Sequence, residues 1–381
     1  MRIYLDNAAT TPVDPRVVEA MQSYWTAYYG NPSSSHSEGQ AARDGVERAR
    51  DQVAALLGAN RDEIIFTSGG SEADNTAIKL AFALSGKGNH LICSSIEHDA
   101  VLKTMQYMTG MGFDLTVLPV DGLGRVDPDD VRKAITAKTV LISVHHANNE
   151  IGTIEPIAEI GRIAHEHDVL FHSDAVQTFG HVPISVAELN IDMLALSAHK
   201  LYGPKGVGAL YLKRGTGFTP LIHGGGQEDH RRASTSNVAG IAGLGMAAEI
   251  ARVEMAEEHD RIRRLRDGLW QALGDAMEGL ILNGHAVQRL DNNLNFSIQG
   301  VEGESLLMAL DIEGLAASSG SACSSGSGRG SHVLAATGNG AAQGQGSLRL
   351  SLGRFTTEDD VLKATEIIVK AVHRLRQLSG F

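Results

Sequence analysis

The sequence is poor in cysteine, proline and aromatic residues, with Cys 2, Pro 9 and 5% aromatic residues in a chain of 381. Its cysteines, Cys93 and Cys323, lie far apart and form no CxxC pair. The sequence therefore predicts neither a disulfide framework nor a thiolate zinc site, and we expect no bound metal. Each cysteine has to be interpreted by itself.

Long apolar runs and basic clusters are also missing. No segment approaches the roughly 18 uninterrupted apolar residues of a membrane-spanning helix. The first residues, Met1 to Asn7, hold an acid and an amide where a secretory signal has its apolar stretch. The net charge is -12, from 33 basic and 45 acidic residues, and no run of lysine or arginine stands out along the chain. We therefore expect a cytoplasmic protein that binds neither membranes nor nucleic acid.

The order of the apolar runs predicts two domains, because a chain of this length exceeds what one hydrophobic core usually organises. From Glu63 to Leu212, short β-rich runs alternate with longer helical patterns, as is typical of a mostly parallel sheet covered by helices. A long helical stretch begins after Val238, and a smaller α+β unit follows it. We assign residues 13–256 to a large α/β domain and residues 1–12 and 257–381 to a small domain.

A glycine turn follows the first predicted strand of the large domain. Phe66 to Glu72 runs through Gly69 and Gly70 into a predicted helix, where Ser71 and Asp74 have the spacing of a capping box. The free N–H groups of such a turn suit a phosphate. An ordinary strand-to-helix turn capped by Ser71 fits the same residues equally well.

Lys200 follows another predicted strand, at the edge where open α/β sheets bind ligands. An amine that bonds covalently to an aldehyde has to be reachable and partly desolvated there. A lone lysine in a turn is more often solvated, but the flanking Ser197 and His199 favour a site.

Further polar residues follow other predicted strands. Asp174, with Gln177 three residues on, either pairs with a pyridinium nitrogen or caps a helix. His98 has the chemistry to stack on an aromatic cofactor and exchange protons, although a lone histidine is more often structural. Asn149 has an amide that suits a ring oxygen or a substrate carboxylate. These strand ends predict one shared site.

The two cysteines have opposite surroundings. Cys323 lies in a serine- and glycine-rich segment from Ser318 to Gly330 that is poor in apolar anchors, so we expect it to move and to act as a nucleophile. Cys93 lies in the apolar run Leu91-Ile92-Cys93, where a free cysteine is usually packing.

The motifs together resemble a known family. YLDNAATTP, FTSGGSEADN, IEHDAV, NNEIGT, DAVQ, SAHKLYGPKGVGAL, GGGQE, EGES, SSGSACSSGS and LRLSLGRFTTEDD are similar, in this order, to the cysteine desulfurases of the NifS/IscS type. The resemblance covers almost the whole chain. It implies the aspartate-aminotransferase-like fold, type I among pyridoxal-phosphate (PLP) enzymes, and a homodimer with the cofactor at the dimer interface.

The resemblance also implies a role for each candidate residue. Lys200 bonds to the cofactor, Asp174 pairs with the ring nitrogen, Gln177 reaches the ring oxygen and His98 stacks on the ring and takes part in catalysis. Gly70, Ser71, Ser197 and His199 hold the phosphate, and Thr235 is the residue sent across from the partner subunit. Asn149 contacts the cofactor and, with Arg349, the substrate carboxylate.

The implied reaction takes sulfur from L-cysteine, releases L-alanine and leaves a persulfide on Cys323 for an iron–sulfur scaffold or another acceptor protein. A selenocysteine lyase is the near alternative, and an aminotransferase of the same fold is the other. An aminotransferase needs every part except a nucleophilic thiol, so Cys323 discriminates between them. Gly328-Arg329-Gly330, where relatives often have Leu-Glu-Pro, and a short C-terminus leave the acceptor open.

Overall fold

The computed structural model describes residues 2–84, 86–319, 330–338 and 346–380. Cys323 and the pair Gly328-Arg329 lie outside the described residues. The helices are α1 Pro15–Thr26, α2 Ser37–Leu57, α3 Gly70–Lys79, α4 Asp99–Thr109, α5 Pro128–Ala134, α6 Ile157–Glu166, α7 Val238–Ala276, α8 Gly303–Ile312, α9 His332–Ala336 and α10 Glu358–Ser379. The strands are β1 Ile3–Tyr4, β2 Ile64–Thr67, β3 His90–Ser94, β4 Asp114–Leu118, β5 Thr139–Ser143, β6 Leu170–Asp174, β7 Met193–Ser197, β8 Gly208–Leu212, β9 Leu280–Leu282, β10 Asn293–Ile298, β11 Leu315–Ala316 and β12 Ser347–Ser351.

Seven strands form the large sheet, in the order β2-β8-β7-β6-β5-β3-β4. Strands β4, β3, β5, β6 and β7 are parallel neighbours, and β8 runs antiparallel to both β2 and β7. The carboxyl ends of β2, β3, β5, β6 and β7 therefore meet at one edge of the sheet. Ligands of open α/β sheets bind at this edge.

Helices cover both faces of this sheet, because residues along its strands are apolar on both sides. In β2, Ile64 and Phe66 belong to the core under α1, α2, α6 and α7, whereas Ile65 belongs to the core under α3 and α4. The chain thus forms three layers, and the predicted α/β class with a mostly parallel sheet is confirmed.

A smaller unit has its own core. Strands β9, β10 and β12 form an antiparallel sheet that packs with α8, α10 and the second half of α7. The first strand of the chain, β1, pairs with β11 of this unit. Helix α7 has 39 residues and contributes to the large core from Ile241 to Ala251 and to the small core from Ile262 to Leu273. The predicted smaller α+β unit is therefore present, while the boundary at residues 256 and 257 stays a prediction.

The glycine turn after β2 differs from the sequence prediction. The N-cap of α3 is Gly69, and no side chain caps this helix within the described chain. Ser71 lies inside the first turn, and Asp74 is buried. The predicted capping box is therefore wrong, because the N-cap of α3 lies two residues before Ser71. Among the described residues, no helix combines the length and apolarity needed to cross a bilayer.

Candidate active site

A cavity of about 380 Å³ opens at the carboxyl edge of the large sheet. Its wall combines strand ends, the start of α3, the N-terminal segment and one arginine of the small unit. The lining residues are Ala8, Ala9, Gly70, Ser71, Asp74, His98, Asp99, His145, Ala147, Asn149, Glu150, Asp174, Val176, Gln177, Ser197, His199, Lys200, His332 and Arg349.

Two glycines bring the N-terminus of α3 to this cavity. A Cβ on Gly70 would lie 2.6 Å from Cγ2 of Val176, and a Cβ on Gly208 would lie 2.8 Å from the backbone of Gly69. Only glycine permits these two approaches. No side chain within the described chain caps α3, and Gly70 and Ser71 in its first turn line the cavity. Such a helix start attracts an anion.

Lys200 lies just beyond β7, in a short helical turn from Ala198 to Lys200. Its Nζ donates hydrogen bonds to the carbonyls of Ala8 (2.5 Å) and Ala9 (2.6 Å). Gln177 Nε2 donates to the same Ala8 carbonyl at 3.0 Å. The N-terminal segment therefore forms the wall against which the amine rests, and that amine bonds to neutral carbonyls there.

Asp174 ends β6 and is buried, with 8% of its surface exposed. Its Oδ1 accepts a hydrogen bond from the N–H of Val176 at 2.8 Å. Burial raises the pKa of Asp174, and His98 opposes this shift. A carboxylate in such a place gains from a cationic partner in the cavity.

The two histidines of the predicted site are held differently. His98 is the N-cap of α4, where its Nδ1 accepts from the N–H of Ala100 at 3.1 Å. His199 Nδ1 lies 3.1 Å from Oγ1 of Thr10, and burial followed by the charge of Lys200 lowers its pKa to about 4. His199 is therefore neutral near pH 7.

Arg349 reaches the cavity from β12 of the small unit. Its Nη1 donates to the carbonyl of Asn149 (2.9 Å) and its Nη2 to Oδ1 of Asp6 (2.8 Å). Its Nε is buried and has no hydrogen-bond partner within the described residues. The guanidinium is 2% exposed, so a second anion beside it would meet a fixed, desolvated donor.

Cys323 belongs to residues 320–329, which lie outside the described part of the chain. The residues on both sides of this segment contact the site. Before it, Ser318 exchanges backbone hydrogen bonds with Arg349, at 3.2 and 2.7 Å. After it, Ser331 Oγ donates to Oε2 of Glu150 at 2.5 Å, and His332 Nε2 lies 3.1 Å from the carbonyl of Glu97. Both ends of the segment are therefore attached to residues at the cavity.

Cys93 lies inside β3 and is fully buried. Burial raises the pKa of its thiol, and Glu97 raises it further. Such a thiol is almost never ionised near neutral pH and is a poor nucleophile. This agrees with the packing role that its apolar run indicated.

The structure brings together every predicted site residue except two. Thr235 lies on an exposed loop before α7 and does not line the cavity, and Cys323 lies outside the described residues. Sequence reasoning missed Asp74, His145, Glu150 and the two alanine carbonyls. A signal existed for His145 and Glu150, because both flank the segment after β5 that holds Asn149.

The residues of the cavity fit pyridoxal phosphate. The uncapped start of α3 suits its phosphate, the buried Asp174 suits a protonated ring nitrogen, and Lys200 lines the same cavity. Arg349 has a buried Nε without a partner in the described chain, which suits a substrate carboxylate. The arrangement therefore has a place for both a cofactor and an amino acid.

Comparisons with known proteins agree with this chemistry. The model of the aminotransferase class-V family matches residues 3–363. A relative named cysteine desulfurase IscS, from Dictyoglomus turgidum, is 51% identical over 380 residues, covering 100% of this chain and 96% of the relative. A solved structure described as a NifS-like protein is 38% identical with a TM-score of 0.93, covering 98% of this chain and 100% of that one. The structure of SspA in complex with cysteine is 38% identical with a TM-score of 0.81, covering 93% and 100%.

Proposed function

Because this chain belongs to the class-V aminotransferase family and is about half identical to cysteine desulfurases over its full length, we infer that it is a cysteine desulfurase that depends on pyridoxal phosphate. One structural observation supports this function. Lys200, Asp174 and Arg349 share one cavity, and both described flanks of the Cys323 segment join its wall. An aminotransferase would need the first three residues but no thiol there.

We propose cofactor contacts for residues that line the cavity. The first N–H groups of α3, with Ser71, Ser197 and His199, would hold the phosphate, and Asp174 would pair with the ring nitrogen. Gln177 and Asn149 line the same cavity and would contact the ring oxygen, while His98 would stack on the ring. When bound, the cofactor draws electrons from the substrate Cα and so makes the Cα proton acidic.

The protein residues divide the remaining work. Arg349 binds the carboxylate of cysteine and fixes its orientation. Lys200, whose amine would hold the cofactor, is also the group that would take the proton from Cα of the substrate. The thiolate of Cys323 attacks the substrate sulfur, so that an S–S bond forms while the Cβ–S bond breaks and leaves its electron pair on carbon. Return of a proton to Cα and addition of one to Cβ, with His98 as the exchanging group, would then yield alanine and a persulfide on Cys323.

We propose a homodimer, because Thr235 has its predicted role only if a second copy brings it to the cavity, and its loop is exposed. The exposed aromatic side chains Trp25, Tyr28 and Tyr29 on and beside α1 support an interface. We also propose residues 13–256 as the large domain, a cytoplasmic location, and an iron–sulfur scaffold or similar protein as acceptor.

Cysteine turnover by the purified protein tests the activity. We expect alanine and, with a reductant, sulfide in equal amounts, whereas transamination would instead give a keto acid. Cys323→Ser keeps the shape of the side chain but replaces a thiolate by a hydroxyl, so cofactor binding persists while sulfide release is lost. The matched control is Cys93→Ala, which should retain turnover. Extra sulfur found on Cys93 by mass spectrometry would contradict this assignment.

A further inference from the structure

A cluster of buried ionisable side chains surrounds Asp174. Glu97 is 0% exposed, Asp74 1%, and His145 and Glu155 are 3% exposed each. His145 and Asp74 line the cavity with Asp174, while Glu97 and Glu155 lie behind them. Several acids buried this close together need a positive charge or hydrogen bonds beside them, because ionised groups are costly away from water.

Strand pairing sets His145 beside Asp174. In the parallel pair of β5 and β6, Ser143 is opposite His172, and their side chains are 2.8 Å apart. The hydrogen bonds of this pair continue beyond β5, where the N–H of His146 donates to the carbonyl of Asp174 at 2.9 Å. Side chains alternate along a strand, so His145 and Asp174 lie on the same face as Ser143 and His172.

The ring of His145 lies between two carboxylates. Its Nδ1 is 3.3 Å from Oε1 of Glu97, and its Nε2 is 3.8 Å from Oε1 of Glu155. Glu97 Oε1 also accepts from the backbone N–H of His145 (3.0 Å) and from Ser94 Oγ (2.5 Å). Although burial opposes it, Glu97 raises the pKa of His145 to about 9, and His145 in turn outweighs burial and lowers the pKa of Glu97. The pair is therefore ionised near pH 7.

We propose that His145 is a positioning residue of the cofactor site, whose imidazolium, held between Glu97 and Glu155, supplies the fixed positive charge that lets Asp174 face the cavity as a carboxylate. This inference rests on the proposed function, because it concerns the ring nitrogen that Asp174 binds.

The charges around Asp174 show why His145 matters. Burial and Glu97 raise the pKa of Asp174, whereas His98 and His145 lower it. Burial and then Asp174 raise the pKa of Asp74, on α3, well above its usual range. Burial lowers the pKa of His146 and His172 to about 4, so both are neutral. Without the charge of His145, Asp174 would lose a cation that lowers its pKa, and burial, the largest cause that raises this pKa, would favour a protonated Asp174. A protonated Asp174 cannot stabilise a protonated ring nitrogen.

The test compares two ligands that differ only at that nitrogen. The apoprotein is titrated with pyridoxal phosphate and with its 1-deaza analogue, in which carbon replaces the ring nitrogen, and binding is followed by fluorescence. We expect His145→Gln to weaken pyridoxal phosphate about tenfold, the effect of a shift of about one pKa unit, and to leave the analogue within about twofold. The matched control is His146→Gln, since His146 is as deeply buried at 4% exposed but neutral. It should leave the preference between the ligands unchanged.

Removal of both members of the ion pair gives a second check on the charge of His145. Glu97 loses its counter-ion in His145→Gln, and burial then favours its neutral form, so we expect Glu97→Gln with His145→Gln to prefer pyridoxal phosphate no more than the single variant does. Equal weakening of both ligands by His145→Gln would show that His145 only supports the fold, and a double variant that regains the preference of the parent would show that Asp174 does not need this cation. A parent protein that binds neither ligand would instead contradict the proposed function and, with it, this inference.

Discussion

Arg349→Lys tests how the site holds its substrate. The guanidinium of Arg349 has three places to donate: Nη1 bonds to the carbonyl of Asn149, Nη2 bonds to Asp6, and Nε is buried without a partner in the described residues. Lysine keeps the positive charge but replaces the planar fork by a single ammonium. The variant should therefore keep the ion pair with Asp6 and lose the hydrogen bond that Nε can donate to a carboxylate.

The magnitude follows from one lost hydrogen bond between charged groups, which is worth about 1.5–3 kcal/mol. The specificity constant kcat/KM for cysteine should fall by about 10- to 150-fold. Because the carboxylate is held equally in the ground state and the transition state, the loss should appear mainly as a higher KM.

Steady-state alanine formation over a range of cysteine concentrations measures the effect. The control is Arg354→Lys, because Arg354 is also an ion-paired arginine that is largely shielded from solvent, paired with Asp14 at 2.8 Å and Glu258 at 2.9 Å, but it does not line the cavity. This control should lower stability and leave KM unchanged. An unaltered KM in Arg349→Lys, or the same rise in Arg354→Lys, would refute the assignment of Arg349.

Three further outcomes are expected. Lys200→Ala should remove the visible absorption of bound cofactor and all turnover with little loss of stability, and a spectrum like that of the parent would rule out Lys200 as the attachment point. Asp174→Ala should lower kcat far more than it lowers cofactor attachment, as comparison of absorption and alanine formation will show. Since the pKa of His145 is raised to about 9 from 6.5, its stabilisation is complete below pH 6.5 and lost as the pH rises through 9. The free energy of unfolding in urea should thus fall by up to about 3 kcal/mol over this range, and a parent slope no steeper than that of His145→Gln would argue against the ion pair.

Much of the site was predictable because its residues belong to short local patterns. An apolar strand leads to a polar residue in both cases, since Asp174 ends β6 and Lys200 follows β7. Parallel strands end at the same edge of the sheet, so their polar residues were expected to lie together. The contrast between Cys93 in an apolar run and Cys323 in a serine- and glycine-rich segment was also local, and the burial of Cys93 agrees with it. The nucleophilic role of Cys323 stays a prediction.

The start of α3 shows where local reasoning failed. The spacing of Ser71 and Asp74 matched a capping box, yet Gly69 is the N-cap and Asp74 turns inward, with its Oδ1 3.5 Å from Nε2 of His172. Spacing along a helix cannot tell a capping acid from a buried one. That difference depends on the strand that the helix covers.

The sequence by itself determined the order of strands and helices, the class of the fold and the residues that end each strand, since all of these follow from neighbouring residues. Only the tertiary structure decided which of those residues meet. Arg349 bonds to Asp6 across 343 positions of the chain, and Ser331 bonds to Glu150 across 181. The charge of His145 likewise depends on Glu97, which a different strand end supplies. Such pairings arise from strand order and register, because contacts between distant residues form only when the layers pack.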